Sequence, residues 1–236
     1  MMESRVLSTR VIGHALRRAY TPPKLWIQMS TATIYAHRFD QANTELEGII
    51  GGEETGVPEY WSYSVQIAKN WEKEVLDCDI PKTRTVIIRS SMVMTPDQKG
   101  VFDVLYSLSR LGLGGSIAGG NQYISWVHEV DFMNIIDHLI HNKESHGIYN
   151  LCAPHPIPQK NFMKTLRTKI GGWASKVGLP ASKWMVEIGA FFMRTDTELV
   201  LKSRRVVPQR LIEEGIVFEH AHWESAAQDL VKRRRL

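Results

Sequence analysis

One segment dictates the fold class of this 236-residue chain more than any other: TRTVIIRSSMVM, from Thr83 to Met94. Its residues are apolar and β-branched, without the alternation of a strand that has one solvated face, so both faces of this strand are predicted to be buried. KLWIQMS, starting at Lys24, and GIYNLCAP, starting at Gly147, have the same character. Helical patterns separate these strands, and the alternation predicts an α/β protein with a parallel sheet.

Apolar residues at helical spacing predict the helices of the chain. The predicted helices lie at 4–19, around 61–75, and at 101–111, 132–141, 160–170, 182–193, 209–214 and 224–231. From Pro154 onwards the chain is mainly helical. We therefore predict an α/β part over residues 1–153 and a helical C-terminal domain over residues 154–236.

The composition limits the classes of function and the compartment. Much of the net charge of +4 comes from the tail Lys232 to Arg235 and from Lys202 to Arg205, and no aromatic residues are interleaved with these basic runs, so nucleic-acid binding is not favoured. Cys78 and Cys152 have no CxxC partner, which predicts a reducing intracellular compartment, the cytoplasm first and an organelle second. No apolar run reaches the length of a membrane span.

Several segments, taken in chain order, resemble one protein family. They are SRVLSTR, STATIY, NWEKEV, VIIRSSMV, RLGLGGSIAGGNQYISWVHEVDF, GIYNLCAP and KSRRVVPQRLIEEGIVF. Together they resemble the atypical, epimerase-like branch of the short-chain dehydrogenase/reductase superfamily, of the 39U-member-1 type, over nearly the whole chain. The resemblance implies a Rossmann-like sheet, NADP(H) as cofactor, and an oxidoreductase or epimerase activity on a small molecule.

In that family these segments follow an N-terminal half with a glycine-rich nucleotide-binding turn, and no such turn precedes KLWIQMS here. The late glycines, Gly112 to Gly115 and Gly119 to Gly120, are predicted to adopt loop conformations. We therefore expect a partial Rossmann-like sheet, the C-terminal part, with doubtful NADP(H) binding by this chain alone. Its exposed sheet edge is expected to be covered by a second copy of the chain or by another partner.

The stretch YSVQIAK places Tyr63 and Lys69 on one predicted helix. The proton chemistry of the superfamily uses a Tyr and a Lys at i and i+4, about 40° apart around the helix axis, so that the lysine charge lies beside the tyrosine hydroxyl. Tyr63 and Lys69 are at i and i+6, about 120° apart, and are predicted to be a rim tyrosine and a solvated lysine. Aligning NWEKEV with the family leaves Ser64 and Ala68 at the catalytic positions.

The candidate catalytic residues are Thr31 and Tyr35, in STATIY, after a predicted strand. Open α/β sheets bind ligands at the carboxyl ends of their strands. The resemblance implies that the Thr31 hydroxyl bonds the reacting oxygen, whereas the alternative is a hydroxyl that caps the local backbone. Tyr35 is a candidate proton donor, and the alternative is a packed aromatic residue.

The resemblance also implies three cofactor-binding residues. Arg5 corresponds to a family arginine near the cofactor and could bind a phosphate, although it could equally be an exposed helix residue. Arg89 and Val93 follow the VIIR strand, where the family chain passes the nicotinamide, and Val93 would contribute only backbone and shape.

The histidines give no metal-binding pattern in the sequence, and no metal site is predicted. His128 is interpreted as a hydrogen-bonding residue or, alternatively, an acid/base, and Asp131 as the N-cap of the following helix. Two functions stay open at this point. The chain is an NADP-dependent oxidoreductase or epimerase-like protein, or it is a non-catalytic protein that responds to a dinucleotide or binds a partner.

Overall fold

A computed structural model describes residues 2–181 and 198–235 of the chain. In chain order its strands are β1 (Leu25–Thr31), β2 (Arg84–Ser90), β3 (Met92–Met94), β4 (Tyr123–Ile124), β5 (Trp126–His128), β6 (Gly147–Leu151) and β7 (Ile157–Pro158). Its helices are α1 (Met2–Arg18), α2 (Glu59–Leu76), α3 (Val101–Arg110), α4 (Glu129–His141), α5 (Gln159–Ile170), α6 (Glu198–Leu201), α7 (Gln209–Glu213) and α8 (Trp223–Arg234).

The centre of the fold is a parallel sheet in the order β1-β2-β6. In its middle strand Val86, Ile87 and Ile88 are completely buried, because helices or loops cover both faces, as the continuous apolar run predicts. The α/β class and the parallel sheet are therefore confirmed. The outer edge of β1 has no partner strand within the described residues.

The predicted strand from Thr83 to Met94 is in fact two strands, which corrects the sequence interpretation. The chain leaves the central sheet at Ser91, whose N–H donates to Leu151 O at 3.1 Å. β3 then pairs in parallel with β5, and β4 pairs antiparallel with β7. The break moves the end of this run away from the sheet centre and carries Val93 with it.

Helix α1 forms as predicted, but several of its large apolar side chains are exposed. Thr9 is buried against α2, where Trp71 Nε1 donates to Thr9 Oγ1 at 2.9 Å, and Gly13 is buried against Cys78 and Trp26. Leu7, Val11 and Ile12 are 50%, 67% and 44% exposed. Thr9 and the Arg10–Glu74 ion pair, at 2.5 Å, therefore join the two helices, and not the apolar stripe.

The C-terminal helices are also confirmed where the structure describes them, whereas the predicted helix at 182–193 lies outside the described residues. The core is continuous across residue 153: the Trp223 ring stacks on Phe162 with centroids 3.8 Å apart and contacts Trp126 edge-on at 5.0 Å. The division at residue 153 therefore stays a prediction. Within the described residues, no helix combines the length and the hydropathy needed to cross a bilayer.

The late glycines occupy loop conformations, as predicted. Gly112 has a φ of +77°, and a Cβ there would lie 2.8 Å from the Trp173 ring. Gly120 has a φ of +69°, and a Cβ there would lie 2.7 Å from the Lys160 Cβ. Both conditions favour glycine, and neither position forms a turn that joins a strand directly to a helix.

Candidate functional site

The carboxyl ends of the parallel strands bring two of the predicted site residues, Thr31 and Arg89, to one edge of the sheet. Thr31 is in register with Ser90, and Ser90 is in register with Leu151. This edge is where open α/β sheets bind ligands. The candidate site is therefore built around the end of β1 and the end of β2.

Thr31 is half-buried at this edge and begins a short 3₁₀ helix, Ala32–Ile34. Its Oγ1 accepts from the N–H of Thr33 at 3.2 Å, which is the local capping role. A hydroxyl that accepts one bond still has its own proton to donate. The structure therefore shows the capping role of Thr31 and leaves its O–H available, and the bond to a reacting oxygen stays a prediction.

Arg89, at the end of β2, is buried and pairs with Glu72 of α2. Its Nε lies 2.9 Å from Glu72 Oε1, and its Nη2 lies 2.7 Å from Oε2, a two-point contact between guanidinium and carboxylate. The Ser30 hydroxyl donates to the same Glu72 Oε1 at 2.5 Å. Because this contact uses much of the Arg89 fork, Arg89 holds α2 against the sheet, and its role beside the nicotinamide stays a prediction.

Tyr35 is 1% exposed, and its hydroxyl lies inside the same network. Arg89 Nη1 donates to the Tyr35 oxygen at 3.0 Å, and the hydroxyl has Asn150 Oδ1 at 2.8 Å and Thr44 O at 3.1 Å as acceptors. Burial raises the pKa of Tyr35, against the lowering effect of Arg89. The geometry therefore favours the packed aromatic residue, and the role of Tyr35 as a proton donor stays a prediction.

Helix α2 has Ser64 and Ala68 at the positions that the sequence alignment assigns to the Tyr and Lys of the superfamily, and neither side chain can replace that pair. Ala68 is completely buried in the core, and the Ser64 hydroxyl lies 3.5 Å from Tyr60 O, one turn earlier. Tyr63 is 54% exposed and Lys69 is exposed. The rim tyrosine and solvated lysine predicted from the helical spacing are confirmed.

The structure does not bring Arg5 into the Arg89 network. Arg5 is exposed on α1, with its guanidinium 4.7 Å from the centre of the Trp71 ring. Val93 is half-buried in β3 and pairs with Val127. Both residues stay predictions as cofactor contacts, and only Val93 follows the carboxyl end of β2.

Sequence reasoning missed a second buried ion pair, between Lys202 and Glu198. Lys202 Nζ lies 2.9 Å from Glu198 Oε1 and donates to Thr33 O at 2.8 Å. Burial lowers the pKa of Lys202, while Glu198 raises it. This lysine ties the C-terminal segment to the 3₁₀ helix that carries the Thr31 cap. It could not be found from the basic run KSRR, which is typical of a solvated segment.

The N-cap of α4 is His128 and not Asp131, which corrects the sequence interpretation. His128 Nδ1 accepts from Val130 N–H at 3.2 Å. The Asp131 carboxylate instead accepts from the backbone N–H groups of Glu219 at 2.7 Å and His220 at 3.0 Å. Asp131 therefore fixes the loop before α8 to the start of α4.

His128, His220 and Asp229 lie together, with one ligand atom of each within 4.8 Å of the others. Since His128 Nδ1 accepts from the backbone, Nε2 carries the proton and donates to Asp229 Oδ2 at 3.2 Å. A metal on Nε2 would move that proton to Nδ1, against the N–H of Val130. Arg233 also lies 3.2 Å from the same Asp229 oxygen. The geometry favours a hydrogen-bonded contact over a metal site.

Comparison with known proteins finds relatives named epimerase family proteins. A family model described as a domain of unknown function, DUF1731, matches residues 181–230. Human epimerase family protein SDR39U1 is 27% identical over 229 residues, which cover 97% of this chain and 72% of that protein. Epimerase family protein YfhF of Bacillus subtilis is 26% identical over 237 residues, which cover 100% of this chain and 72% of YfhF.

Solved structures show the same fold. The crystal structure of human SDR39U1 isoform 2 with NADPH matches with a TM-score of 0.82 at 24% identity, over 98% of this chain and 73% of that one. A nucleoside-diphosphate sugar epimerase from Corynebacterium glutamicum matches with a TM-score of 0.72 at 21% identity. The match covers 98% of this chain and 42% of the epimerase chain. The covered shares, 97% of this chain and 72% of human SDR39U1, do not support the expectation that this chain lacks the N-terminal half of the family.

Proposed function

We propose that this chain is an NADP(H)-binding protein of the epimerase-like branch of the short-chain dehydrogenase/reductase superfamily, acting on a small molecule. The observation that carries the proposal is the carboxyl edge of the parallel sheet, where the fixed Thr31 hydroxyl lies in register with Ser90. The relatives named epimerase family proteins and the NADPH in the human SDR39U1 structure support the same cofactor class.

In this proposal the nicotinamide supplies the hydride chemistry when it is bound, and the chain supplies position and one hydroxyl. The Thr31 O–H donates to the reacting oxygen of the substrate, while its oxygen keeps the bond from Thr33 N–H. The backbone around Val93 shapes the nicotinamide end, and Arg5 contacts a phosphate. The Arg89–Glu72 pair holds β2 and α2 in place beneath the site.

Binding by this chain alone is expected to be weak. The described residues before β1 form a helix, α1, and no short glycine-rich turn joins a strand directly to a helix in the described ranges. Such a turn places the pyrophosphate at a helix N-terminus. Isothermal titration should show NADPH binding no tighter than high micromolar. Low-micromolar affinity would contradict the weak-binding expectation, and no binding at millimolar NADPH would contradict the proposed function itself.

A second candidate function is a non-catalytic protein that responds to a dinucleotide. It is favoured by the replacement of the Tyr/Lys positions by Ser64 and the buried Ala68. A panel of small carbonyl compounds and nucleotide sugars separates the two candidates, with reduction measured by the loss of NADPH absorbance and epimerisation, which consumes no NADPH overall, measured by NMR of the sugars. Turnover that Thr31→Val abolishes without changing NADPH affinity supports the enzyme. NADPH binding without turnover supports the alternative.

We also propose that a second copy of this chain covers the outer edge of β1. This edge has no partner strand in the described part of the chain, and Leu7, Val11 and Ile12 of α1 are exposed. Unpaired edges and contiguous apolar surfaces favour association. Size-exclusion chromatography with light scattering should show a dimer or larger species. A monodisperse monomer that melts cooperatively would contradict the proposal.

A further inference from the structure

Three helices end around one cavity that lies apart from the carboxyl edge of the sheet. The cavity, of about 550 Å³, is bounded by the end of α3, the end of α5 and the end of α8. Arg110, Arg234 and Arg235 line it together with Tyr106 and Trp173. Neither Thr31 nor any other residue of the candidate site contributes to its wall.

No carboxylate lines this cavity, and the arginines keep unused donors. Arg234 donates to Asp103 Oδ1 from Nε at 2.9 Å and from Nη2 at 2.6 Å. Arg235 Nη2 donates to Ile170 O at the end of α5. Arg110 makes no ion pair with any described residue. A guanidinium carries several N–H donors and stays charged at all relevant pH values, so each arginine can still bind an anion in the cavity.

The electrostatic field at this corner is weaker than the number of arginines suggests. The C-terminal end of a helix carries about half a negative charge, and Asp103 adds one more, so these groups offset most of the charge of the three guanidinium groups. The net field is therefore modest. Recognition depends on the direction of the N–H donors, which suits the planar, two-point binding of phosphate oxygens by arginine.

An aromatic side chain forms part of the same wall. Trp173 is 57% exposed, and its ring packs against Gly112, where a Cβ would lie only 2.8 Å away. The contact with the Gly112 backbone holds the indole in one orientation while leaving a large part of it open to a ligand. An exposed, fixed indole is a stacking surface for a planar ring.

We propose that this cavity binds an organic phosphate with a planar ring, such as a nucleoside monophosphate. The guanidinium groups of Arg110 and Arg235 bind the phosphate, and the ring stacks on Trp173. The volume of about 550 Å³ lies in the range of small-molecule sites and suits a single nucleotide better than a polymer. The proposal does not depend on the NADP(H) site.

Titration calorimetry of the full chain with AMP and, separately, with inorganic phosphate tests this proposal. AMP should bind in the sub-millimolar range, and Arg110→Gln and Arg235→Gln should each weaken it about tenfold. Trp173→Ala should weaken AMP and leave phosphate unchanged. Lys232→Gln is the matched control, because Lys232 lies on the same basic tail and outside the cavity wall; it should change neither affinity.

Four results would overturn the proposal. They are no binding of either probe, equal effects of Trp173→Ala on AMP and phosphate, binding of a single-stranded oligonucleotide but not of AMP, and AMP binding that ignores Arg110→Gln and Arg235→Gln. In the last case, displacement of AMP by NADPH would locate the nucleotide at the sheet edge. All the substituted side chains are exposed, so circular dichroism should confirm that each variant folds.

Discussion

The molecule buries ionisable side chains in two different ways. At the junction of β2 and α2, Arg89 keeps its charge because Glu72 lies against it with two hydrogen bonds. At the start of α4, His128 has a carboxylate near one ring nitrogen only. Its Nε2 lies 3.2 Å from Asp229 Oδ2, and its Nδ1 accepts from a backbone N–H. Burial, together with the neighbouring His220, lowers the pKa of His128 to about 4. The charge of Arg89 is therefore maintained by a partner residue, whereas the charge of His128 changes with pH.

In the candidate site, too, residues whose side chains hold the fold together differ from residues that are left free to contact a ligand. When the donors and acceptors of a charged pair bond one another, the pair stabilises the fold and has few hydrogen-bonding groups left for a ligand. The Arg89–Glu72 pair occupies the region beneath the sheet edge and recruits Tyr35 into the same network. In our proposal the chemistry at the edge falls to Thr31, whose oxygen accepts from the N–H of Thr33 and whose hydroxyl still has a proton to donate.

The largest effect is expected from breaking the charged pair. Glu72→Gln keeps the shape of the side chain but leaves the Arg89 guanidinium buried without a counter-charge. Loss of one partner of a buried pair typically costs about 3–5 kcal/mol, so the free energy of unfolding should fall by that amount in urea denaturation. The double variant Glu72→Leu with Arg89→Met should recover most of the loss.

The matched control is Glu74→Gln, on the same helix. Glu74 pairs with Arg10 at the surface, where side-chain exposures are 23% and 48%, and such pairs contribute about 1 kcal/mol or less. A cost for Glu72→Gln as small as that of Glu74→Gln would mean that Arg89 is not held as a buried charge.

A feature can be predicted from the sequence when residues close together in the chain determine it, and not when it depends on contacts between residues far apart in the chain. The burial of Val86 to Ile88 follows from their own side chains. The Glu72–Arg89 pair could have been anticipated, because an arginine inside a buried strand requires a carboxylate and Glu72 falls on the apolar face of its helix. The partners of Asp131 are 88 and 89 residues away in the chain, and no local pattern reveals them.

The same limit applies to the packing of α1. The spacing of Leu7, Val11 and Ile12 predicts a helix correctly, but it does not say which face meets a neighbour. That choice depends on the Trp71 indole, which bonds Thr9, and on Cys78, which packs against Gly13. The break at Ser91 was missed for a similar reason, since it depends on the pairing of β3 with β5.

An intermediate effect is expected at His128. Its native pKa of about 4 lies below the value of about 6.5 in an unfolded chain, so the unfolded state binds more protons as the pH falls. This contribution to stability is fully present above pH 6.5 and is lost as the pH falls towards 4. Between pH 7 and pH 5 the wild-type protein should lose about 2 kcal/mol more stability than His128→Asn.

The comparison is made by urea denaturation at both pH values. Asparagine at position 128 retains an oxygen that can accept from Val130 N–H, so helix α4 should still be capped. Equal losses of stability for the two proteins between pH 7 and pH 5 would show that His128 is not kept neutral by its surroundings.

The smallest effect is expected from Tyr63 and Lys69, which belong to neither buried network. Tyr63→Phe and Lys69→Ala should each change the free energy of unfolding by less than about 0.5 kcal/mol, as exposed substitutions do. They should also leave NADPH affinity and any turnover unchanged. A large loss of turnover in both variants, with normal stability, would restore this pair as catalytic residues.

The location of the dinucleotide is tested most directly by hydrogen exchange of the full chain with and without millimolar NADPH. Our account predicts slower amide exchange at residues 31–35 and 90–93, where β1 and β2 end, and no change at residues 106–110 beside the arginine-lined cavity. Protection confined to the cavity, or no protection at the ends of β1 and β2 under saturating NADPH, would contradict it.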